Sequence, residues 1–252
     1  MSQYRFKDVE KVEFRGKKSK ADLRVDIFKE ALTIFDETIS KLKEVSEGLF
    51  FTLGMRNLSA FVGEVFAAAL AKASKGFLIK NPHQDGYPDL LVMTAEGKKL
   101  LKTLEQNMQD KKPFSDFASG GIEVKATCGS VPTPEALGRR NLKKPEIGDQ
   151  RIDVYMGYDW KAHHRLTNNL VGIVWDFIDR IPTIVGIFFS SDITQDDWGK
   201  IVQPREGGGR TTSVSIMTRE GIFKMYEGWI TVLDDKRYID FFNKFNRSNL
   251  IG

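Results

Sequence analysis

The amino-acid sequence predicts an α/β domain in which a mixed β-sheet is flanked by helices. Two amphipathic helical stretches come first, over 19–45 and 57–75, and shorter apolar stretches with the period of strands follow them. Helices followed by strands and then by mixed elements favour this class over a doubly wound sheet. With 252 residues, 41% of them hydrophobic, we expect a single domain over 1–252.

The amino-terminal part of the chain, residues 1–48, is expected to be a helical segment available for dimerisation or DNA contact. Apolar residues recur at mostly helical spacing from Ser19 to Val45. In the second helix we expect Ser59 to be the N-cap and Glu64 to lie within the helix.

The rest of the chain has mostly the pattern of strands. We expect strands over 76–79, 88–93, 121–127, 170–178, 183–189 and 211–216, and helices over 98–109 and 236–245. A tight turn at 179–182 joins two strongly apolar strands, and a loop rich in Pro, Gly and Lys covers 129–150.

The charge of the chain is compatible with a nucleic-acid partner. Lys and Arg total 38 against 34 Asp and Glu, and the basic residues crowd the amino terminus and the loop around 139–151. Such clusters either contact phosphates or form a solvated face.

Cysteine content and hydropathy bear on the compartment. The one cysteine, Cys128, excludes an intramolecular disulfide and suits a reducing environment. No apolar stretch is long enough to span a bilayer, so we expect a cytoplasmic protein without a membrane partner.

A charged pair in an apolar strand is the strongest sign of chemistry. In the strand 121–127, Glu123 and Lys125 are two residues apart and project to the same face. Charges placed in a core strand are costly unless they are paired or bind a metal. If the strand that follows Asp89 lies next to the strand 121–127, the carboxylates of Asp89 and Glu123 and the amine of Lys125 converge. Such a set of groups suits Mg²⁺ and its bound waters.

Pro88-Asp89 followed by Glu123-Val124-Lys125 resembles the PD-(D/E)xK motif of a nuclease superfamily that includes most Type II restriction endonucleases. The resemblance implies that Asp89 and Glu123 bind the metal, that the Val124 carbonyl is an auxiliary ligand, and that Lys125 orients the attacking water. Many members carry a glutamate on the preceding helix, which corresponds to Glu64. A restriction-endonuclease-like fold, with these residues at one edge of the mixed sheet, is therefore expected.

The identity of the first metal ligand stays open at this point. Thirty-three residues separate Asp89 from Glu123, so Asp116 and Asp85 are competitors. We favour Asp89 because a proline precedes it and an apolar strand follows it.

Two loops could contact DNA. The first is the basic loop with Arg139, Arg140, Lys143 and Lys144. The second is the glycine-rich loop with Arg205, Arg210 and Thr211, whose arginines could read guanine edges. That loop lacks the ending of a phosphate-binding loop, so no nucleotide cofactor is expected.

The function expected from the motif is that of a Type II restriction endonuclease. Such an enzyme hydrolyses double-stranded DNA at a specific sequence with Mg²⁺, leaves a 5′-phosphate and a 3′-hydroxyl, and works as a homodimer on a palindromic target. The alternatives are a repair or structure-selective nuclease of the same superfamily and a DNA-binding protein without activity.

Overall fold

The computed structural model describes residues 3–15, 20–46, 48–83, 85–115, 117–157, 160–162, 169–203, 213–248 and 250–252. Within these ranges the helices are α1 (Val25–Val45), α2 (Leu49–Thr52), α3 (Met55–Ala73), α4 (Ala95–Leu104), α5 (Pro134–Arg139), α6 (Arg219–Glu227) and α7 (Lys236–Asn243). The strands are β1 (Tyr4–Phe6), β2 (Lys11–Arg15), β3 (Lys20–Arg24), β4 (Leu78–Lys80), β5 (Leu90–Val92), β6 (Gly121–Thr127), β7 (Lys161–Ala162), β8 (Leu170–Ile178), β9 (Ile181–Ser190), β10 (Ser215–Ile216) and β11 (Trp229–Leu233).

Seven of the strands in the described residues form one large sheet, in the order β1-β11-β9-β8-β6-β5-β4. Its pairings are antiparallel except that of β6 with β8, which is parallel. Two separate two-stranded ladders pair β2 with β3 and β7 with β10. The predicted α/β class with a mixed sheet and flanking helices is therefore confirmed.

Each face of the large sheet has its own apolar layer. On one face, α1 and α3 pack on β6, β8 and β9, and the rings of Phe35 and Phe66 join the two helices at 6.4 Å. On the other face, α6 and α7 cover β8, β9 and β11 around Trp160, Phe188 and Tyr226. Burial of both faces explains why β8 and β9 are apolar almost without interruption.

The helix α3 is fixed to the sheet by a stripe of buried residues at intervals of three or four positions. Leu58, Val62, Phe66 and Leu70 are inaccessible to solvent. The helix begins at Met55 after Gly54, so the prediction that Ser59 is its N-cap is wrong. Ser59 lies within the helix instead, and its Oγ accepts a hydrogen bond of 3.1 Å from Trp175 Nε1.

The amino-terminal segment is not helical throughout. The predicted helix begins at Val25 rather than at Ser19, because residues 20–24 alternate between exposed and more buried positions and pair with β2. Leu23, which the helical pattern included, is a fully buried strand residue.

Other boundaries shift by a few residues. The strand expected over 121–127 is confirmed as β6, whereas the strands expected over 76–79 and 88–93 are β4 and β5. The loop expected over 129–150 contains α5, and of the strand expected over 211–216 the described part is β10.

Several short elements were not predicted, and β11 is the one that matters most for the large sheet. Strand β11 is wholly buried between β1 and β9, and α6 precedes it. None of the helices in the described ranges combines the length and the apolar character needed to cross a bilayer.

Candidate metal centre

The candidate centre lies where β5 begins beside β6. The two strands pair antiparallel, Leu90 opposite Ile122 and Leu91 opposite Gly121, although α4 lies in the connection between them. Asp89 immediately precedes β5 and is therefore next to Glu123. The adjacency on which the predicted convergence depends is present. The predicted position at an edge of the sheet is wrong, because β6 lies between β5 and β8.

The backbone of Val124 links the two halves of the motif. Its N–H donates a hydrogen bond of 2.7 Å to Asp89 Oδ2. Glu123, the preceding residue, donates its own N–H to the carbonyl of Asn169 on the β8 side. Since the N–H and C=O of one strand residue point to the same side, the Val124 carbonyl points towards Asp89.

The side chains of Glu123 and Lys125 share one face of β6, as predicted. Glu123 is in register with Leu170, which belongs to the layer around Trp160, whereas Val124 packs in the opposite layer. Lys125 Nζ donates to Glu123 Oε1. The Glu123 side chain is only 4% exposed, and its Oε2 is buried without a hydrogen-bond partner in the described residues.

In this cluster two carboxyl groups, of Asp89 and Glu123, lie close to one cation, the Lys125 ammonium group. Burial and the nearby Glu123 carboxylate raise the pKa of Asp89 to about 7, against the opposing effects of Lys125 and the Val124 N–H. Burial alone would lower the pKa of Lys125, but the charges of Glu123 and Asp89 outweigh it, and the pKa is raised. The site therefore has an excess of negative charge that a divalent cation would neutralise.

A cavity of about 240 Å³ opens between α3 and the chain at Asp89 and 124–126, and Glu123 is not among its lining residues. Its lining residues are Ser59, Ala60, Gly63, Glu64, Ala67, Asp89, Val124, Lys125 and Ala126. Glu64 thus faces the same space as Asp89 and Lys125, although its carboxylate is mostly exposed and accepts a hydrogen bond from Lys80.

The donor set fits Mg²⁺. This ion is usually held by one or two carboxylates together with waters and substrate phosphate, and it prefers oxygen. Asp89, Glu123 and the Val124 carbonyl supply such oxygens, and the unpartnered Glu123 Oε2 leaves one ligand position unused. The described residues contain no group of three or more acidic, histidine or cysteine side chains arranged to hold a metal by themselves, so water and phosphate would have to complete the coordination.

The structure distinguishes Asp89 from Asp85, one of the two alternative candidates for the first metal ligand. Asp85 is exposed and is absent from the walls of the cavity, and its backbone N–H donates to His83 Nδ1 at 3.1 Å. Asp116 lies outside the described residues.

The predicted DNA contacts are only partly within the described residues. Arg139, Arg140, Lys143 and Lys144 are exposed on and after α5, and Arg140 Nη2 donates to the Asp153 carbonyl at 3.2 Å. Arg205, Arg210 and Thr211 lie outside the described residues.

Apart from Glu64, the residues of α3 that line the cavity were not predicted from the sequence. Ser59, Gly63 and Ala67 are four residues apart and form one helix face beside Ala126. A Cβ added at Gly63 would be 3.6 Å from Ala126 Cβ, an ordinary contact distance. The spacing of small residues next to Glu64 was the available signal.

Comparison with known proteins gives no match to a protein-family model, to a curated protein or to a solved structure.

Proposed function

We propose that this chain is a Mg²⁺-dependent DNA endonuclease of the Type II restriction class, with a restriction-endonuclease-like fold. It would hydrolyse phosphodiester bonds at a specific double-stranded sequence and leave a 5′-phosphate and a 3′-hydroxyl. The observation that carries the proposal is the meeting of Asp89, Glu123 and Lys125 at the start of β5, beside a cavity large enough for a phosphate group.

The order of the elements supports the proposed fold. The helix α3 carries Glu64, Asp89 then precedes β5, and β6 carries Glu123 and Lys125. This is the order in which the resemblance places the same groups, and a mixed sheet covered by helices on both faces holds them.

Each residue has a defined part in the proposed reaction. Asp89, Glu123 and the Val124 carbonyl would hold Mg²⁺. Glu64, on the α3 side of the cavity, would accept a hydrogen bond from a water bound to the ion. When bound, Mg²⁺ would polarise the scissile phosphate and lower the pKa of a coordinated water. Lys125 would orient the attacking water and balance the negative charge on the non-bridging oxygens of the pentavalent phosphorus centre.

The remaining parts of the proposal concern partners and compartment. Duplex DNA is the proposed substrate, with the basic residues around α5 contacting its phosphates, and no nucleotide cofactor is involved. A cytoplasmic homodimer would present two such centres to a palindromic site. Gel filtration that gives a monomer both with and without DNA would exclude the dimer.

The test is a digest of unmethylated plasmid DNA with Mg²⁺, with EDTA and the Lys125→Ala variant as controls. Discrete fragments whose ends carry a 5′-phosphate, produced only by the wild type with metal, are the expected result. Cleavage confined to branched or mismatched DNA would replace the restriction class by a repair nuclease. Duplex binding without cleavage under any divalent metal would contradict the enzyme.

A further inference from the structure

Lys80 lies beside the candidate centre but does not belong to the motif. It ends β4 opposite Leu90, the residue after Asp89, and the backbone N–H of Asn81 donates to the Asp89 carbonyl at 2.8 Å. Leu78, two positions earlier in β4, packs in the apolar layer that contains α3. The alternation of the strand therefore directs the Lys80 side chain to the α3 face of the sheet.

On that face Lys80 contacts Glu64 of α3. Lys80 Nζ donates to Glu64 Oε2, and within the described residues this is the only hydrogen bond or ion pair of the Glu64 carboxylate. Glu64 also lines the cavity, together with Asp89 and Lys125. Lys80 is thus one side-chain contact away from the cavity wall.

The Glu64–Lys80 pair can be opened at little cost. The side chains of Glu64 and Lys80 are 64% and 46% exposed, and ion pairs so open to water contribute little to stability. The Glu123–Lys125 pair differs, because its carboxylate is almost completely buried. Of the two lysines, Lys80 is therefore the one that can leave its carboxylate for another anion.

The net charge of these side chains changes sign when a divalent cation binds. Two ammonium groups, of Lys80 and Lys125, accompany three carboxyl groups, of Glu64, Asp89 and Glu123. With the carboxyl groups ionised and one divalent cation bound, a single positive charge remains, which one phosphodiester group of DNA would balance. The cation also repels the Lys80 ammonium group and competes with it for the negative charge of Glu64.

We propose that Lys80 couples metal binding to DNA binding, because it pairs with Glu64 in the metal-free protein and moves to a DNA phosphate when the metal is bound. This inference rests on the proposed function, and Lys80 is in this account a positioning residue. A lysine ammonium group is a point charge on a flexible stem with three donors, so it can change partners without a fixed geometry. Part of the coupling free energy between the metal and DNA is thereby assigned to Lys80.

The experiment measures how much Ca²⁺ tightens the binding of a duplex fragment that the wild type cuts with Mg²⁺. Ca²⁺ replaces Mg²⁺ because it also prefers oxygen ligands, and each affinity is compared with the affinity in EDTA. In Lys80→Met we expect the affinity with Ca²⁺ to fall about tenfold through loss of one phosphate contact. The affinity in EDTA should fall by less than about threefold, since Glu64 then holds Lys80. Lys80→Arg, which keeps the charge, should retain the wild-type ratio of the two affinities.

The matched control is Lys236→Met, which removes one positive charge from an exposed lysine on α7 that pairs with Asp240. It should leave the ratio of the affinities with Ca²⁺ and in EDTA unchanged.

The reciprocal variant is Glu64→Gln, which releases Lys80 in the metal-free protein. We expect its affinity for the duplex in EDTA to rise about threefold, and the same substitution in Lys80→Met to give a smaller rise. A rise of equal size in both proteins would mean that Glu64 does not restrain Lys80, and would overturn the inference.

The remaining outcomes distinguish this inference from the proposed function. If the wild type cuts DNA but Lys80→Met loses affinity equally with Ca²⁺ and in EDTA, or in neither, the inference about Lys80 is overturned and the proposed function stands. The same holds if Ca²⁺ does not tighten DNA binding by a wild type that cuts DNA. If the wild type cuts no duplex DNA with Mg²⁺, both are overturned.

Discussion

Asp89 Oδ2 accepts a hydrogen bond of 2.7 Å from the backbone N–H of Val124, although Asp89 precedes β5, Val124 lies in β6, and a helical excursion separates the two strands along the chain. The bond places a carboxylate beside the residue that lies between Glu123 and Lys125. The Asp89 side chain is thereby fixed relative to β6. Glu123 and Lys125 flank Val124 in that strand, and the alternation along β6 places their side chains on the same face.

Replacing Asp89 tests its part as a metal ligand. Asp89→Asn should lower Mg²⁺-dependent cleavage by at least about a hundredfold, since changes even to groups behind a metal ligand often cost 10- to 100-fold. The matched control is Asp85→Asn, because Asp85 is exposed and outside the cavity. Initial rates on plasmid DNA measure both. Loss of activity in Asp85→Asn with retention in Asp89→Asn would transfer the ligand role to Asp85.

The Glu123–Lys125 pair should be strongly coupled in stability. Lys125→Met leaves the buried Glu123 carboxylate without its cation, and we expect the unfolding free energy in EDTA to fall by about 2 to 3 kcal/mol. In Glu123→Gln/Lys125→Met no buried charge remains from the pair, so the loss should be smaller. Urea denaturation of the wild type, both single variants and the double variant provides the cycle. Strictly additive losses would show that the two groups do not interact.

Two substitutions at Gly63 distinguish an effect on the stability of α3 from an effect on the space available to substrate in the cavity. Its added Cβ would meet Ala126 Cβ at 3.6 Å, so Gly63→Ala fits and should raise the unfolding free energy by up to about 1 kcal/mol through helix propensity. Gly63→Leu would project into the cavity and should abolish cleavage while the protein remains folded. Thermal unfolding and cleavage assays on both variants check this. Full activity in Gly63→Leu would mean that the substrate does not use this cavity.

Asp176 should make stability depend on pH. Burial raises its pKa to about 6 from an ordinary 3.8, against hydrogen bonds from Arg151, Tyr238 and Phe177 that lower it. Because the folded pKa is the higher one, the stability contributed by this group is full below about pH 3.8 and is lost as the pH rises to about 6. The loss amounts to about 3 kcal/mol.

The measurement is the unfolding free energy of the wild type minus that of Asp176→Asn, across the same pH range. Asp89, whose pKa is raised as well, contributes in the same sense to both proteins and cancels in the difference. A difference that does not change with pH would contradict the account of Asp176.

The sequence was informative where a pattern was local. The alternation in 121–127 predicted β6 and the shared face of Glu123 and Lys125, and the apolar stretches predicted β8 and β9. It was less informative where long-range pairing decides. Lys20–Arg24 has helix-compatible residues but pairs with β2, and the short β11 becomes a strand between β1 and β9.

In the candidate site, too, local patterns predicted some features, and others depend on long-range packing. Residue type and spacing are enough to select Asp89, Glu123 and Lys125, but they do not show that β5 and β6 are neighbours. The cavity wall from α3 and the pairing of Glu64 with Lys80 depend on how distant segments pack, which no local pattern encodes.

The claim on which the account depends most is that Asp89 and Glu123 bind a divalent cation beside Lys125. An anomalous difference map from crystals soaked in Mn²⁺, an oxygen-preferring ion like Mg²⁺, tests it directly. The account predicts a peak bounded by the two carboxylates and the Val124 carbonyl, absent in Glu123→Gln crystals. Full Mn²⁺ occupancy elsewhere, with nothing between Asp89 and Glu123, would contradict it.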